Sequence, residues 1–404
     1  MDDLAQSDFR PTTLTERFVT TRNYTEMLCK SLSEEDCQIQ SMPDASPTKW
    51  HLAHTTWFWE TFLLPELSAG YTPFNEQYGF LFNSYYEAVG PRHARPNRGM
   101  ITRPGLSDIL TYRKTVTERV VDALETCGNG LSSRALTILE TGLAHEEQHQ
   151  ELLLTDIKHA LFQNPFPTGL KGVSEFDDHE ALPQKWIGFE GGLVAIGDEG
   201  AEFTFDNEGP VHQQFLAPYS LSNTLVTNKM VLDFIEDGGY QTSSLWLSDG
   251  WVRINAEKRV APLYWFRDEH GAWQQYTLAG VRELSTDAPA SHLDFYEANA
   301  IADWCGARLS TEFEWEHAVR TSVERLTDCF GKVWQWTRSD YAPYPGYAIA
   351  DGAIGEYNGK FMSNQYVLRG SSCATTPGHE RVTYRNFFPA HAQWQFTGVR
   401  LAKS

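Results

Sequence analysis

The sequence predicts a protein of two domains, in which a helical N-terminal half is followed by an α+β half. Three observations predict this fold class. The chain has 404 residues, too many for one ordinary hydrophobic core. Apolar residues recur at helical spacing over 1–162, whereas short β-branched and aromatic runs alternate with glycine over 185–404. The intervening stretch, 163–184, is rich in proline and glycine and is the predicted linker.

Four amphipathic segments predict the helices of the N-terminal domain. They run over 13–33, 47–64, 107–126 and 132–162. Helices with one apolar face bury it by packing together, so these segments predict a four-helix bundle. The long connection at 65–105 is expected to be a functional loop, because loops of that length are otherwise uncommon in compact domains. In the C-terminal domain, 293–305 is the one clear helical pattern, and many loops are expected around it.

Charge and composition exclude several classes of function. The net charge of −20 argues against nucleic-acid and anionic-membrane partners, since both require a basic surface. No run of about 18 apolar residues and no leader pattern is present, so we expect a cytoplasmic protein. The six cysteines form no CxxC pair, and we expect them to be reduced thiols without a metal.

A histidine pair on the fourth predicted helix is the first candidate for chemistry. His145 and His149 are four residues apart and therefore project from adjacent turns of one helix face, where both can bind one metal ion. Such a pair occurs by chance on many helices, so a third ligand is required. Glu151 lies on the opposite face of the helix, and His159 lies about 15 Å further along it, which excludes both from the same ion.

The second predicted helix offers two candidates for the third ligand. His51 and His54 lie in an apolar stretch that must face the interior of the bundle. We expect one of them to bind the ion and the other to be a buried histidine whose ring is satisfied by a backbone carbonyl. Three imidazoles leave coordination positions open, as catalysis requires, but they accept iron, zinc or copper alike. The spacing therefore predicts a metal centre without choosing the metal.

Longer motifs resemble the sulfoxide synthases of ergothioneine biosynthesis, the EgtB family of non-haem iron enzymes. In the first half they are Ser41-Met-Pro-Asp-Ala-Ser-Pro-Thr-Lys-Trp-His-Leu-Ala-His54, Leu81-Phe-Asn-Ser-Tyr-Tyr-Glu-Ala-Val-Gly-Pro-Arg92 and the run 145–151. The resemblance implies a DinB-like four-helix bundle that binds Fe(2+) through His54, His145 and His149. It thus selects His54 over His51.

The second half resembles the formylglycine-generating-enzyme-like domain, a C-type-lectin-related fold. The matching stretches are 295–298, 306–316, 331–337, 367–372 and 398–401. Within them, Ser310, Lys332 and Gln335 replace the proline, asparagine and glutamate that are usual. Sulfatase-activating members use two cysteines a few residues apart after the Arg-Gly motif, whereas Cys373 stands alone here. The resemblance therefore does not extend to formylglycine generation.

The resemblance implies a reaction in which a thiol is joined to C2 of the imidazole of hercynine with consumption of O2, giving a sulfoxide. Tyr85 and Tyr86 match the tandem tyrosines of one branch of the family and are the candidate catalytic donors of a proton or hydrogen atom. Arg92, Arg95 and Arg98 follow in the same loop, and guanidinium groups suit the substrate carboxylates.

Further substrate contacts are implied in both halves. Gln148 is expected to hydrogen-bond hercynine, and Asn386 and Phe387 to border its quaternary ammonium group, which aromatic faces attract. Phe388 replaces an aspartate found in members that use γ-glutamylcysteine, so cysteine is the expected sulfur donor.

Other functions remain open at this point. One alternative is a sister synthase using γ-glutamylcysteine, histidine or a selenium donor. Another is a zinc-dependent DinB-like thiol transferase, which needs neither the tyrosines nor the second domain. A third is a lectin-like binding module in which the histidines hold structural zinc.

Overall fold

The protein divides into two units between Ile157 and Lys158, inside the helix that ends at Phe162. The computed structural model describes residues 13–128, 130–175, 182–198, 200, 203–349 and 358–404. Unit 1, Met1–Ile157, is helical, and unit 2, Lys158–Ser404, contains the sheets. The predicted fold class, a helical domain followed by an α+β domain, is confirmed. The predicted domain limits of 1–162 and 185–404 stay a prediction.

Four long helical segments form unit 1 together with shorter ones. The helices are α1 (Leu14–Cys29), α2 (Glu34–Gln38), α3 (Thr48–Phe58), α4 (Leu64–Leu67), α5 (Tyr78–Phe82), α6 (Leu106–Cys127) and α7 (Ser133–Phe162). A π-helical turn, Trp59–Leu63, joins α3 to α4. Thr13 begins α1 with a capping box, in which its hydroxyl accepts from the Glu16 backbone N–H. The predicted loop at 65–105 is not structureless, since it contains α5 and a 3-10 turn at Arg95–Met100.

A glycine allows α7 to lie close to the end of α3. A Cβ at Gly142 would lie 2.5 Å from the indole of Trp59 and 2.9 Å from the ring of Phe58. Glycine inside a helix destabilises it by about 1 kcal/mol relative to alanine, so close packing is the reason for it here. This contact fixes the spacing of α3 and α7 one turn before His145.

An ion network fills the interior of unit 1 beside these helices. The Glu146 carboxylate accepts from Arg22 at 3.0 Å, from Arg113 at 2.6 Å and from the indole N–H of Trp59 at 2.7 Å. Burial would raise the pKa of Glu146, but the two guanidinium groups and the hydrogen bonds outweigh it and lower the pKa. The network ties α1, α6 and α7 together.

Unit 2 contains short strands arranged in separate sheets. The strands are β1 (Trp186–Phe189), β2 (Gly192–Ile196), β3 (His212–Leu216), β4 (Tyr219–Ser222), β5 (Trp265–Arg267), β6 (Trp273–Thr277), β7 (Gly280–Glu283), β8 (Arg308–Leu309), β9 (Trp334–Asp340), β10 (Tyr366–Gly370), β11 (Asn386–Phe388), β12 (Thr397–Gly398) and β13 (Leu401–Lys403). The strand orders are β1-β4-β13-β8, β11-β10-β9-β12, β2-β3 and β5-β6-β7. The β11-β10-β9 pairings are antiparallel, and β12 runs parallel to β9.

Unit 2 contains more helices than the single one that the sequence pattern predicted. They are α8 (Asn228–Glu236), α9 (Ser248–Glu257), α10 (Phe295–Trp304) and α11 (Glu312–Ser322). The predicted helix at 293–305 corresponds to α10, which begins after a capping box of Asp294 and Glu297. In α11 the buried side carries Glu312, Glu314 and Glu316, which obscures its apolar periodicity. Sequence reasoning also missed α9 and α8, although α8 buries Val231 and Phe234 on one side.

Candidate metal centre

Three histidines of unit 1 meet between α3 and α7. His54 projects from α3, and His145 and His149 project from α7 on adjacent turns. All three are buried, and one ligand nitrogen from each lies within 4.8 Å of the others. The structure therefore brings together the three residues that were predicted to hold a metal, although their ligation of an ion stays a prediction.

The hydrogen bonds of His54 leave its Nε2 directed at its neighbours. Its Nδ1 lies 2.6 Å from the backbone carbonyl oxygen of Phe82 and must donate to it, since a carbonyl only accepts. The Nε2 atom of the neutral ring is then a lone-pair donor, and it lies 3.1 Å from Nε2 of His145. This is the usual arrangement of a ligating histidine, whose second ring nitrogen donates to a fixed acceptor.

The spacing of these nitrogens fits a shared ion. Imidazole nitrogens bind metals such as zinc at about 2.1 Å, so two of them at right angles on one ion would lie about 3.0 Å apart. The Nε2 atoms of His54 and His145 are 3.1 Å apart. The donor set is thus compatible with a resident transition metal.

The three rings are neutral because they are buried. Burial lowers the pKa of His145 to about 3, against the raising effect of Glu146, and lowers the pKa values of His54 and His149 well below the ordinary value; neighbouring histidines lower all three further. Neutral imidazole is the form that binds metal. Among the described residues, the group contains no carboxylate, and the neighbouring Glu146 is turned toward Arg22 and Arg113.

Aromatic rings hold His54 in place. Its imidazole stacks on Trp50, with ring centroids 4.5 Å apart, and lies 5.6 Å from the ring of Trp57 in a nearly parallel orientation. The guanidinium of Arg98 lies 3.4 Å from the centroid of the Trp50 ring. Stacking on these indoles restricts the plane of the His54 ring, and its bond to Phe82 fixes the rotation.

His51 is buried, as expected, but the expectation that a backbone carbonyl satisfies it is wrong. Its Nδ1 lies 2.9 Å from Nδ1 of His149, and its Nε2 lies 3.0 Å from Oδ2 of Asp156. Sequence reasoning missed both contacts. One signal was available, because Asp156 follows His149 by seven residues and therefore lies on the same face of α7.

The two loop tyrosines lie beside the histidines but differ in exposure. Tyr86 is fully buried, with its ring 5.6 Å from that of Trp57 and 5.1 Å from that of Phe62. Tyr85 is half-buried and stacks on Tyr86 at 4.7 Å. Trp57 contacts both Tyr86 and His54, and Phe58 contacts both Tyr86 and His145, so these two aromatic side chains link the tyrosines to the histidine group.

The three predicted arginines do not form one cluster of equivalent groups. Arg98 is buried, and it donates to the hydroxyls of Ser46 at 2.9 Å and Ser84 at 3.2 Å. Arg92 is exposed and forms an ion pair with Glu87, while the exposed Arg95 donates to a backbone carbonyl. Within the described part of the chain, Nε of Arg98 has no hydrogen-bond partner and no carboxylate pairs with its guanidinium.

The remaining candidates are divided between the units. Gln148 is half-buried on α7 in unit 1. Asn386, Phe387 and Phe388 form the edge strand β11 of unit 2, where Phe387 stacks face to face on Tyr341 at 4.0 Å. Phe388 is half-buried and pairs with Tyr366 of β10.

The unusual Gln335 is accommodated in the core of unit 2. Its side-chain oxygen accepts from the indole of Trp315 at 2.8 Å and from Nε of Arg400 at 2.9 Å. All six cysteines, Cys373 included, lie within the described ranges, and none of them forms a disulfide.

Comparison with known proteins defines the class of this chain in two parts. Residues 17–153 match the DinB superfamily, and residues 174–327 and 325–404 match the Sulfatase-modifying factor enzyme 1-like domain. The chain belongs to the family of proteins that carry this second domain. The helical unit with its histidine group and the sheet-containing unit correspond to these two matches.

Relatives that share both parts are known. The hercynine oxygenase of Mycolicibacterium smegmatis is 27% identical, with 90% of this chain and 92% of the relative covered. That of Mycobacterium tuberculosis is 28% identical, with 91% and 92% covered. The formylglycine-generating enzyme of Streptomyces coelicolor is 32% identical but covers only 32% of this chain and 45% of its own length. This chain is an EgtB-family enzyme, which confirms the resemblance drawn from its motifs. No helix within the described ranges is long and apolar enough to span a membrane.

Proposed function

We propose that this enzyme is an iron(II)- and O2-dependent oxidoreductase that joins the thiol of cysteine to C2 of the hercynine imidazole and oxidises the sulfur, in ergothioneine biosynthesis. The observation that carries the proposal is the group of three buried, neutral histidines on facing helices. The whole-length similarity to hercynine oxygenases supports the choice of acceptor.

The ligand set suits this chemistry because it carries no negative charge. Bound iron(II) would supply a Lewis-acidic centre with free positions for a thiolate and for dioxygen. His54, His145 and His149 would hold it, and as neutral ligands they would leave its positive charge available to an anionic thiolate. Burial of the group would exclude bulk water and strengthen that attraction.

The tyrosine pair would supply the proton or hydrogen atom near the reacting oxygen. Tyr86 is enclosed by aromatic rings, and Tyr85 stacks on it while keeping part of its surface exposed. Such packing restricts both rings to one orientation, which a positioned donor requires. Without this donor, we expect O2 to oxidise the bound thiol to a sulfinate without joining it to hercynine.

Substrate recognition would use charged, polar and aromatic side chains. Arg98 supports a role in carboxylate binding, because it is buried and none of the described carboxylates pairs with it. Arg92 and Arg95 are exposed and are proposed to assist. Gln148 would hydrogen-bond hercynine, and Asn386 with the stacked ring of Phe387 would border its trimethylammonium group.

The proposed sulfur donor follows from the apolar side chain of Phe388. A benzyl side chain offers no charge to the ammonium group of a γ-glutamyl donor, whereas an aspartate does. Cysteine is therefore the proposed thiol. A sister activity with γ-glutamylcysteine, histidine or a selenium donor is the alternative, since it would need the same metal ligands and similar substrate-binding side chains.

The proposal is tested by reconstitution without oxygen. Purified protein is loaded with iron(II), mixed with hercynine and either cysteine or γ-glutamylcysteine, and then exposed to O2. We expect oxygen uptake with cysteine and a product whose mass equals hercynine plus cysteine plus one oxygen atom minus two hydrogen atoms, because the two hydrogens leave with the other oxygen atom as water. Zinc-loaded protein is the control and should consume no oxygen. Failure of iron-loaded protein to form a sulfur adduct with either thiol would refute the proposal, and thiol transfer by the zinc form would favour the transferase alternative.

The role of the tyrosines is tested by the product ratio. Replacing Tyr85 or Tyr86 by phenylalanine should divert oxygen toward cysteine sulfinate, because the ring remains but the donor is lost. Tyr24→Phe on α1, whose ring is half-buried, is the matched control. An unchanged ratio of sulfoxide to sulfinate in both loop variants would remove the pair from the mechanism.

A further inference from the structure

A second layer of side chains stands behind one of the candidate ligands. His51 lies between His149 and Asp156, with its Nδ1 2.9 Å from Nδ1 of His149 and its Nε2 3.0 Å from Oδ2 of Asp156. The same carboxylate oxygen accepts from the backbone N–H of Ser46 at 2.8 Å. All four residues are buried, so no water competes strongly for these bonds.

The donors and acceptors of Asp156, His51 and His149 restrict which ring nitrogens carry protons. A carboxylate only accepts, so Nε2 of His51 carries a proton and donates it to Asp156. Nδ1 of His149 faces Nδ1 of His51, so Nε2 is the His149 nitrogen that is left for a metal ion. With an ion bound at Nε2, the proton of the His149 ring would be on Nδ1, which would donate to Nδ1 of His51.

The order of these contacts follows from the antiparallel packing of α3 and α7. On α7, His145, His149 and Asp156 share one face, because they are four and seven residues apart. On α3, His51 contacts the later members of this row and His54 the first. His54 and His149 are thus oriented by different means, a backbone carbonyl in one case and a side chain in the other.

We propose that His51 and Asp156 are positioning residues that fix the tautomer and ring orientation of His149, so that its Nε2 faces the metal. This inference rests on the metal site of the proposed function, but it concerns metal binding and not turnover. Partners of this kind orient a ligand ring and raise its basicity, and their loss typically weakens metal binding about 10- to 100-fold.

The experiment measures metal affinity and geometry in pairs of variants. His51→Phe and Asp156→Leu remove the hydrogen bonds. His51→Gln retains an acceptor for His149 and a donor for Asp156, and Asp156→Asn can place an amide oxygen where Oδ2 accepts from Ser46 and His51. Cobalt(II) is titrated against a competing chelator, its visible absorption reports ligand geometry, and iron(II) affinity is measured by competition.

We expect about 10- to 100-fold weaker cobalt(II) and iron(II) binding, with an altered cobalt(II) spectrum, in His51→Phe and Asp156→Leu. His51→Gln and Asp156→Asn should recover most of the affinity and the wild-type spectrum, which a merely space-filling role would not produce. His270→Phe and Asp122→Asn, at exposed positions, are the controls and should match wild type.

The outcomes separate this inference from the proposed function. If His51→Phe and Asp156→Leu keep wild-type affinity and spectrum, or if the wild-type protein binds neither metal, the inference is overturned. If the wild type binds metal but makes no sulfur adduct while the two variants bind metal weakly, the inference holds and the proposed reaction fails. Thermal unfolding of the metal-free variants identifies a folding defect, and the two conservative variants then decide the matter.

Discussion

The buried polar groups of the two units differ in how they are compensated. In unit 2, the guanidinium of Arg385 meets the carboxylate of Glu312 at 2.8 and 3.0 Å, and Arg369 pairs with Glu316 through Nη2. Burial alone would lower the pKa of each arginine, but the carboxylates keep it above the ordinary value. Opposite charges neutralise each other there, and the pairs hold the scaffold together.

The histidine group of unit 1 contains no such pairs of opposite charges among the described residues. Neutral imidazoles face one another with ring nitrogens 3.1 Å apart, and none of the described carboxylates joins them. Without an ion, one of these two nitrogens can donate to the other, and a bound ion would take both lone pairs instead. The contrast teaches that burial and clustering do not by themselves mark a binding site. In a scaffold cluster the charges neutralise one another, whereas a cluster that is to bind a cation keeps lone pairs that no buried charge neutralises.

The largest expected effect is that of breaking a scaffold pair. Glu316→Gln leaves the fully buried Arg369 beside a neutral amide, and we expect a loss of about 3–5 kcal/mol in the free energy of unfolding. Urea unfolding followed by tryptophan fluorescence measures it. Iron bound per folded chain should be unchanged, and a loss of iron without a loss of stability would break the comparison.

Removing a candidate ligand should produce the reverse pattern. His145→Leu replaces a buried ring by an apolar side chain of similar size, so the metal-free protein should change by less than about 1.5 kcal/mol. Wild type should gain about 2.7 kcal/mol at a metal concentration 100 times Kd, and the variant should gain nothing. Unfolding with and without iron(II), together with iron content, tests this, and metal-induced stabilisation of the variant would contradict it.

A smaller effect is expected one residue from the site. Gln150 is buried next to His149, but its amide donates to the backbone carbonyl of Thr21 and to the hydroxyl of Thr25, both at 3.0 Å. Gln150→Leu should therefore reduce stability by about 1–2 kcal/mol. Its cobalt(II) spectrum should equal that of wild type, because the change affects only the scaffold face of α7.

The smallest effect should come from an ion pair that is open to solvent. Arg17 and Glu140 approach to 2.6 Å while both side chains remain partly exposed. Arg17→Ala should change the free energy of unfolding by about 0.2–1 kcal/mol, and less at high salt. A loss as large as that of Glu316→Gln would show that burial is not what separates the two kinds of pair.

Much of the helical unit was predictable from sequence because its signals are local. The four long helical segments follow from apolar periodicity and capping residues, and the ends of α1, α6 and α7 lie within a few residues of the predicted limits. Unit 2 was less predictable, since its helices are short and α11 buries carboxylates whose partners are far apart in sequence, such as Glu312 with Arg385.

The sequence by itself determined that His145 and His149 share one helix face, since residues four apart in a helix always do. It did not decide between His51 and His54, which lie about 60° apart around α3 and both face the interior. Motif resemblance made that choice. The tertiary structure alone decided that His51 contacts His149 and Asp156, because partners across two helices depend on the register and rotation set by packing, such as that of Gly142 against Trp59.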